Sequence, residues 1–213
     1  MSESAEPAGR ALEPTPNPES ARFVLASSSP RRRDLLASAG LRFEVQASDL
    51  PEDPLADERP PDYAARMARE KAWDIARRGR VQGDRRPVLG ADTIVVRDGQ
   101  VLGKPESRDQ ARTMLALLSG ARHQVITAFC VVRADGTEDQ EAITTEVCFK
   151  ELAPAEIEAY LDTGEWHDKA GSYAVQGRAA YIVRSLVGSY TNVVGLPLCE
   201  AVEALERAGV GRE

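Results

Sequence analysis

Apolar and polar positions change period several times along this chain, and each change marks an element. Phe23-Val24-Leu25 is an unbroken apolar run, the pattern of a short buried strand. Leu35, Leu36 and Ala39 then recur at helical spacing; Pro30 suits the first helical position, where a missing N–H costs nothing, and Gly40 suits the stop. Residues 43–47 alternate like a strand, and the acidic, proline-rich stretch 48–61 reads as loop. Residues 62–78 are predicted helical, with Gly79 as the stop and an inward stripe at Ala64, Ala68, Lys71 and Ile75 beside Met67. Residues 87–96 read as a strand that turns at Arg97-Asp98-Gly99-Gln100 and returns through Val101-Leu102-Gly103. Ser107 with Gln110 makes a capping box for a helix carrying Ala111, Met114, Leu115 and Leu118 on one face and ending at Gly120. Residues 124–133 and 141–151 are long strands joined through Ala134-Asp135-Gly136, followed by a short helix over 154–162, a strand over 180–186 and a closing helix over 197–208. No internal repeat interrupts this order. Strands and helices alternate in the first half with hairpins inserted, which implies an α/β fold with a mixed sheet.

Composition narrows the class. Residues 1–20 hold Pro7, Pro14, Pro16 and Pro18 with several glutamates and little that is apolar, the composition of a disordered tail, which leaves 21–213 as one domain. No run approaches the ~18 apolar residues of a membrane helix, and the N-terminus lacks an apolar signal core, so a cytoplasmic protein with no membrane partner is expected. Cys130, Cys148 and Cys199 form no CxxC pair and read as buried free thiols. A formal net charge of −7 and an aromatic content of 5% provide neither the basic surface nor the stacking platforms of a nucleic-acid binder. A small basic pocket is still compatible with that balance.

Several positions break the pattern around them. Ser27-Ser28-Ser29-Pro30-Arg31-Arg32-Arg33 crowds hydroxyls and guanidiniums into the first turn of a helix, where the dipole disfavours cations; a bound anion, phosphate above all, accounts for them, a solvated arginine face being the bland alternative. Lys71 falls on an apolar stripe, where it either snorkels or points into a cleft. Asp92 lies inside the apolar run Val88–Val96, where an unpaired carboxylate is expensive. It reads as a general base or metal ligand, or else as an edge-strand residue facing water. Gly90 and Ala91 beside it leave room for a ligand to approach the backbone. Lys104, held extended by Pro105, is weak evidence alone. The glycine-bounded loop 168–177 carries Lys169 and the amide of Gln176, a group that both donates and accepts and suits the edge of a pyrimidine base. In Ser189-Tyr190-Thr191-Asn192, the asparagine reads as a helix cap. His123 and His167 are not spaced as a metal pair.

The segments LASSSPRRRDLL, AREKA, GADTIVV, LGKP, MLALLSGARHQVITA, DKAGSYAVQG and GSYTNVVGLPL occur in an order that resembles the Maf family of nucleoside triphosphate pyrophosphatases over residues 22–208. The resemblance implies an elongated mixed β-sheet with flanking helices and a central cleft between two lobes, like that of the inosine triphosphate pyrophosphatases. It implies hydrolysis of a nucleoside triphosphate to monophosphate and pyrophosphate with a divalent cation, Mg²⁺ or Mn²⁺, and favours a homodimer. The family's proton acceptor matches Asp92, its discriminating positions match Arg31, Thr93 and Gln176, and its phosphate-side residues match Ser27, Arg32, Lys71, Lys104 and Lys169. An acidic position matches Glu52, where the family's usual Asp-Glu pair reads Pro51-Glu52; with Asp92 it completes the implied metal set. DKAGSYAVQG is similar to the branch acting on dTTP and UTP, whereas the branch acting on 7-methyl-GTP carries a glutamate in place of Gln176. A neutral amide pairs with the O4 and N3–H edge of uracil or thymine, and a C5 methyl leaves that edge unaltered, so modified pyrimidine nucleotides follow naturally. A non-catalytic nucleotide-binding regulator of division would use the same pocket.

Overall fold

The computed structural model describes residues 22–212; the disordered tail expected over residues 1–20 lies outside the described residues. The strands are β1 (Phe23–Leu25), β2 (Phe43–Val45), β3 (Val88–Arg97), β4 (Gln100–Leu102), β5 (Arg122–Val132), β6 (Glu138–Phe149) and β7 (Val183–Val187). The helices are α1 (Pro30–Ser38), α2 (Pro60–Val81), α3 (Arg108–Leu118), α4 (Pro154–Leu161), α5 (Tyr190–Val194) and α6 (Leu198–Arg207). One mixed sheet runs β2-β1-β3-β5-β6-β7, with β4 as an additional partner of β3. β1 pairs in parallel with β2 and β3, and every other pair is antiparallel. Among the described residues no helix is long and apolar enough to cross a membrane.

Most elements fall where the periodicity puts them, and the departures have local causes. α2 runs through Gly79, because a glycine inside a helix costs only about 1 kcal/mol; the turn comes instead at Gly83, whose φ of +84° suits a residue without Cβ. The strand expected from residue 180 starts only at Val183, because residues 180 and 181 end a 3₁₀ turn (Gly177–Tyr181) that lets Ala179 and Ile182, three apart, both enter the core. Ser107 caps α3 by accepting from Gln110 N at 3.2 Å, but the Gln110 side chain takes the amide of Glu106, not of Ser107. The cysteines are all free, but only Cys130 is buried; Cys199 is exposed on the outer face of α6 beside Glu203.

The alternation of β3 decides what each of its faces meets. On one face α2 lays Ala64 and Ala68 over Ile94, Val96, Ile126 and Ala128, and Ala72, Ile75 and Ala76 over Val24, Val88, Cys130 and Val132. On the other face the apolar packing divides in two. Leu36 of α1 and Ala201, Ala204 and Leu205 of α6 cover Phe23, Leu25, Leu89 and Phe129. Leu115 and Leu118 of α3 and Ile157 and Leu161 of α4 cover Val95, Val125, Val147 and Phe149. Between these two packed regions lies the cleft. β1 pairs with β3 only at Val88 and Leu89, and β4 only at Val95, Val96 and Arg97, so no strand pairs with residues 90–94 on that edge. A break where the sheet partner changes from parallel to antiparallel, just past the carboxyl end of β1, is where open α/β sheets receive ligands.

Candidate active site

The unpaired stretch of β3 opens into a cavity of about 610 Å³ whose lining includes every residue that the family resemblance matched: Ser27, Arg31, Arg32, Glu52, Lys71, Asp92, Thr93, Lys104, Lys169 and Gln176. Five cations and three carboxylates (Glu52, Asp92 and Asp168) share it, so a chain of net charge −7 turns a locally positive surface inward.

Asp92 and Thr93 are neighbours on β3 and therefore face opposite sides of the sheet. Asp92 faces α2, whose apolar stripe brings Lys71 against it: Nζ lies 2.6 Å from Asp92 Oδ1, and both side chains are about nine-tenths buried. The same ammonium donates to Glu52 Oε1 at 2.6 Å, and Glu52 Oε2 accepts from Lys104 at 3.1 Å. The four side chains thus form one chain of ion pairs leading from the buried end of the cleft outward. Burial opposes the charged form of Glu52, but the hydrogen bonds and charges of Lys71 and Lys104 outweigh it and hold the carboxyl down at about 2. Tyr63 donates to the Glu52 backbone carbonyl at 2.7 Å, pinning the loop that carries it. Burial, together with the Asp92 and Glu52 charges, pushes that phenol up to about 12.

Gly90 does not leave space for a ligand. A Cβ there would sit 2.6 Å from Ala72 N and against Ala68 O, so the missing side chain lets the backbone of α2 press onto β3 and carries Lys71 to Asp92.

The arginine-rich turn divides its roles. Arg33 is exposed and outside the cavity. Arg32 folds back and is buried; its guanidinium donates to Gly195 O at 2.8 Å, Ser27 Oγ at 2.9 Å and Thr93 Oγ1 at 3.0 Å, leaving two of its five N–H groups for a ligand. Arg31 donates through Nε to Val194 O at 3.2 Å. Burial lowers the pKa of both arginines, but a guanidinium stays charged throughout. The two carbonyls that hold them end the short helix α5. Ser189 caps that helix by accepting from Asn192 N, so Asn192 is not the cap expected of it but a fully buried side chain.

The opposite wall is the loop 168–177. Asp168 and Ser172 adopt positive φ, a conformation that costs a non-glycine residue of order 1 kcal/mol or more and concentrates at functional sites. Gly171 N donates to Gly103 O at 3.1 Å, tying the loop of Lys169 to that of Lys104. Lys169 donates to His167 O at 3.0 Å, and burial, then the Arg31 charge, lowers its pKa. Val95, Val101, Val125, Tyr173 and Val175 add an apolar stretch to the lining.

Three residues that matter here carry no sequence signal of their own. Tyr63 and Asp168 lie in ordinary helical and loop contexts. Thr127 sits in an apolar strand, as Asp92 does, but threonine is common in strands and so passes unnoticed.

A family model described as "Maf-like protein" matches residues 22–208. The dTTP/UTP pyrophosphatase of Geobacter sulfurreducens is 53% identical over 194 residues, 90% of this chain and 98% of that protein. Those of Geobacter metallireducens and Anaeromyxobacter dehalogenans are 51% and 52% identical, covering 90% and 88% of this chain and 98% and 94% of theirs. Among solved structures, the nucleoside-triphosphatase / dITP/XTP pyrophosphatase of Mycobacterium abscessus aligns over 88% of this chain and 93% of its own at 14% identity and a TM-score of 0.41, too loose a match to speak to function.

Proposed function

Because the chain belongs to the Maf family, we propose that it hydrolyses nucleoside triphosphates, dTTP and UTP foremost, at the α-phosphate to give the nucleoside monophosphate and pyrophosphate. The names and close similarity of the relatives support the substrate class. The observation that carries the chemistry is the chain of ion pairs Asp92–Lys71–Glu52–Lys104 inside a cavity that Arg31, Arg32 and Lys169 also line.

Phosphoryl transfer needs positioning and neutralisation of a polyanion more than covalent help from the protein. Arg31, Arg32, Lys104 and Lys169 come from three segments on different walls and can hold the phosphate chain from several sides. Asp92 is the base: its second oxygen orients a water and takes its proton as the water attacks the α-phosphorus in line. Lys71, whose ammonium lies 2.6 Å from Asp92 Oδ1, holds that carboxylate in place. Pyrophosphate leaves against the lysines. Gln176, on the rim of the cavity, offers the amide that reads O4 and N3–H of the base.

Asp92 and Glu52 are hard oxygen donors, and Mg²⁺ takes one or two such carboxylates and completes its shell with substrate phosphates and water. Among the described residues no group of three or more His, Cys, Asp or Glu side chains could hold an ion alone. The two carboxylates therefore fit a Mg²⁺ or Mn²⁺ that is held jointly with the triphosphate. When bound, that cation supplies charge neutralisation at the phosphates.

The test is pyrophosphate release by the purified full chain from a panel of nucleoside triphosphates, with Mg²⁺, with Mn²⁺ and with chelator. Release fastest from dTTP and UTP is expected. Fastest release from 7-methyl-GTP would move the chain to the other substrate class, and nucleotide binding without pyrophosphate would make it a regulator.

A further inference from the structure

We propose that Thr127, whose side chain does not line the cavity, is a positioning residue that fixes which way the Thr93 hydroxyl points and so makes Thr93 an acceptor-only contact for substrate.

Thr127 lies on β5 directly opposite Thr93, is fully buried and is absent from the cavity wall. Its Oγ1 is 3.0 Å from the backbone carbonyl of Asn192 and 2.9 Å from Thr93 Oγ1. A carbonyl cannot donate, so the single proton of Thr127 goes to Asn192 O. The Thr127 oxygen can then only accept, and the proton of Thr93 is drawn inward to it, the alternative acceptor, Gly195 O, being more distant at 3.3 Å. Arg32 Nη2 meanwhile donates to Thr93 Oγ1. With its proton committed inward and one lone pair taken by Arg32, Thr93 turns a lone pair alone toward the cavity it lines. It accepts from a ring N–H or a hydroxyl of the nucleotide and repels a lone pair at the same place.

The direction of this relay is locked from behind. Asn192, also fully buried, donates through Nδ2 to Val125 O at 3.0 Å and to Thr145 Oγ1 at 2.9 Å, and Thr145 exchanges hydrogen bonds with the backbone of Ser189. Gly188 beside it has φ of +129° and lies so close to Thr145 that a Cβ would come within 2.8 Å of Oγ1. These bonds seat α5 on β5 and β6, and α5 ends in the two carbonyls that orient Arg31 and Arg32. The Asn192 carbonyl that receives the Thr127 proton thus belongs to the element that aims both arginines.

The inference rests on the nucleotide-hydrolysing reading above, and the experiment separates the two. The parent chain is first screened for the triphosphate from which it releases pyrophosphate fastest, and the variants are assayed on that triphosphate and on its two nearest competitors, at a temperature where circular dichroism shows each variant folded. Thr127→Val keeps shape and removes the hydroxyl. It should lower kcat/KM on the best substrate roughly ten- to a hundredfold, mainly through KM, and narrow the preference over the competitors, as misplacement of a positioning group does. Thr127→Ser should restore both. In a Thr93→Val background, adding Thr127→Val should change kcat/KM by no more than about twofold, because its target is gone. Thr127→Val with unchanged kcat/KM and preference, or full additivity with Thr93→Val, would overturn the proposal; a parent that releases no pyrophosphate from any triphosphate would overturn the reading beneath it.

Discussion

Lys71→Met keeps the length of a side chain on the inner face of α2 and deletes its charge. In the parent, Lys71 Nζ is 2.6 Å from an oxygen of Asp92 and 2.6 Å from an oxygen of Glu52, so those oxygens lie at most about 5.2 Å apart. Without the ammonium, two carboxylates face each other across that gap. At an effective dielectric of 20 their repulsion is about 3 kcal/mol, and stripping one partner from a fully enclosed pair costs about 3–5 kcal/mol. Glu52 keeps two-fifths of its side chain in water, which screens the repulsion and sets the expected loss at about 2–3 kcal/mol. For a chain of this size that is roughly 4–12 °C in Tm. Thermal and urea unfolding at pH 8 would measure it, with chelator present so that no cation replaces the lost ammonium. The double variant Lys71→Met/Asp92→Asn should recover part of the loss, because it removes one of the two like charges. A single variant melting within about 2 °C of the parent, or a double variant less stable than the single, would refute the electrostatic account of this cluster.

Asp92→Asn should retain the fold and lower pyrophosphate release by about two to four powers of ten, the range of a lost general base; near-normal turnover would remove Asp92 from that role. Gly90→Ala should destabilise by about 1–3 kcal/mol or more, since the added methyl meets the backbone of α2, and should depress activity by moving Lys71 off Asp92; a urea midpoint and kcat equal to the parent's would deny the close approach. His123 is buried, its Nε2 2.8 Å from Tyr173 OH, and burial, then the Arg97 charge, lowers its pKa from 6.5 to about 4. Between those values the unfolded chain binds a proton that the folded chain refuses, so this stability is present above pH 6.5 and is lost as pH falls toward 4. The stability of the parent relative to His123→Gln should therefore fall by about 2 kcal/mol between pH 7 and pH 5; a pH-independent difference would show that His123 is not held neutral.

The residues legible from sequence are those whose chemistry contradicts their surroundings. Asp92 in an apolar strand and Lys71 on an apolar stripe each stand out alone, and in the structure each is the answer to the other. Glu52 has no such signal: a glutamate in an acidic, proline-rich loop is ordinary, only the family resemblance singles it out, and its ion pairs with Lys71 and Lys104 depend on the fold. Gly90 signals a close approach but not its partner: a missing Cβ does not say whose atoms approach, and here they are the backbone of α2 and not a ligand. Asparagine is a common helix cap, which is what the sequence around Asn192 suggests, whereas Ser189, three residues earlier, supplies the cap and frees the amide for the core. The strand order is beyond local pattern altogether, since periodicity assigns faces and not partners.

That missing information is what makes the cleft. β3 is paired with β5 from Val88 to Val96, but on its other edge it changes partner from β1 to β4 and leaves residues 90–94 without one. A continuous edge strand there would have filled the cavity with backbone. The break lies where two consecutive residues, Asp92 and Thr93, point to opposite faces, so a ligand entering at the edge meets the ion-paired carboxylate on one side and the arginine-held hydroxyl on the other. Because the strand period is two, shifting β3 by one residue against β5 would exchange these faces, placing the carboxylate among Thr127 and the carbonyls of α5 and the hydroxyl against Lys71. The long antiparallel register between β3 and β5, nine residue pairs from Val88 to Val96, is what resists such a slip. In this molecule the sheet register is thus part of the chemistry: it assigns charge to one face of the strand and recognition to the other.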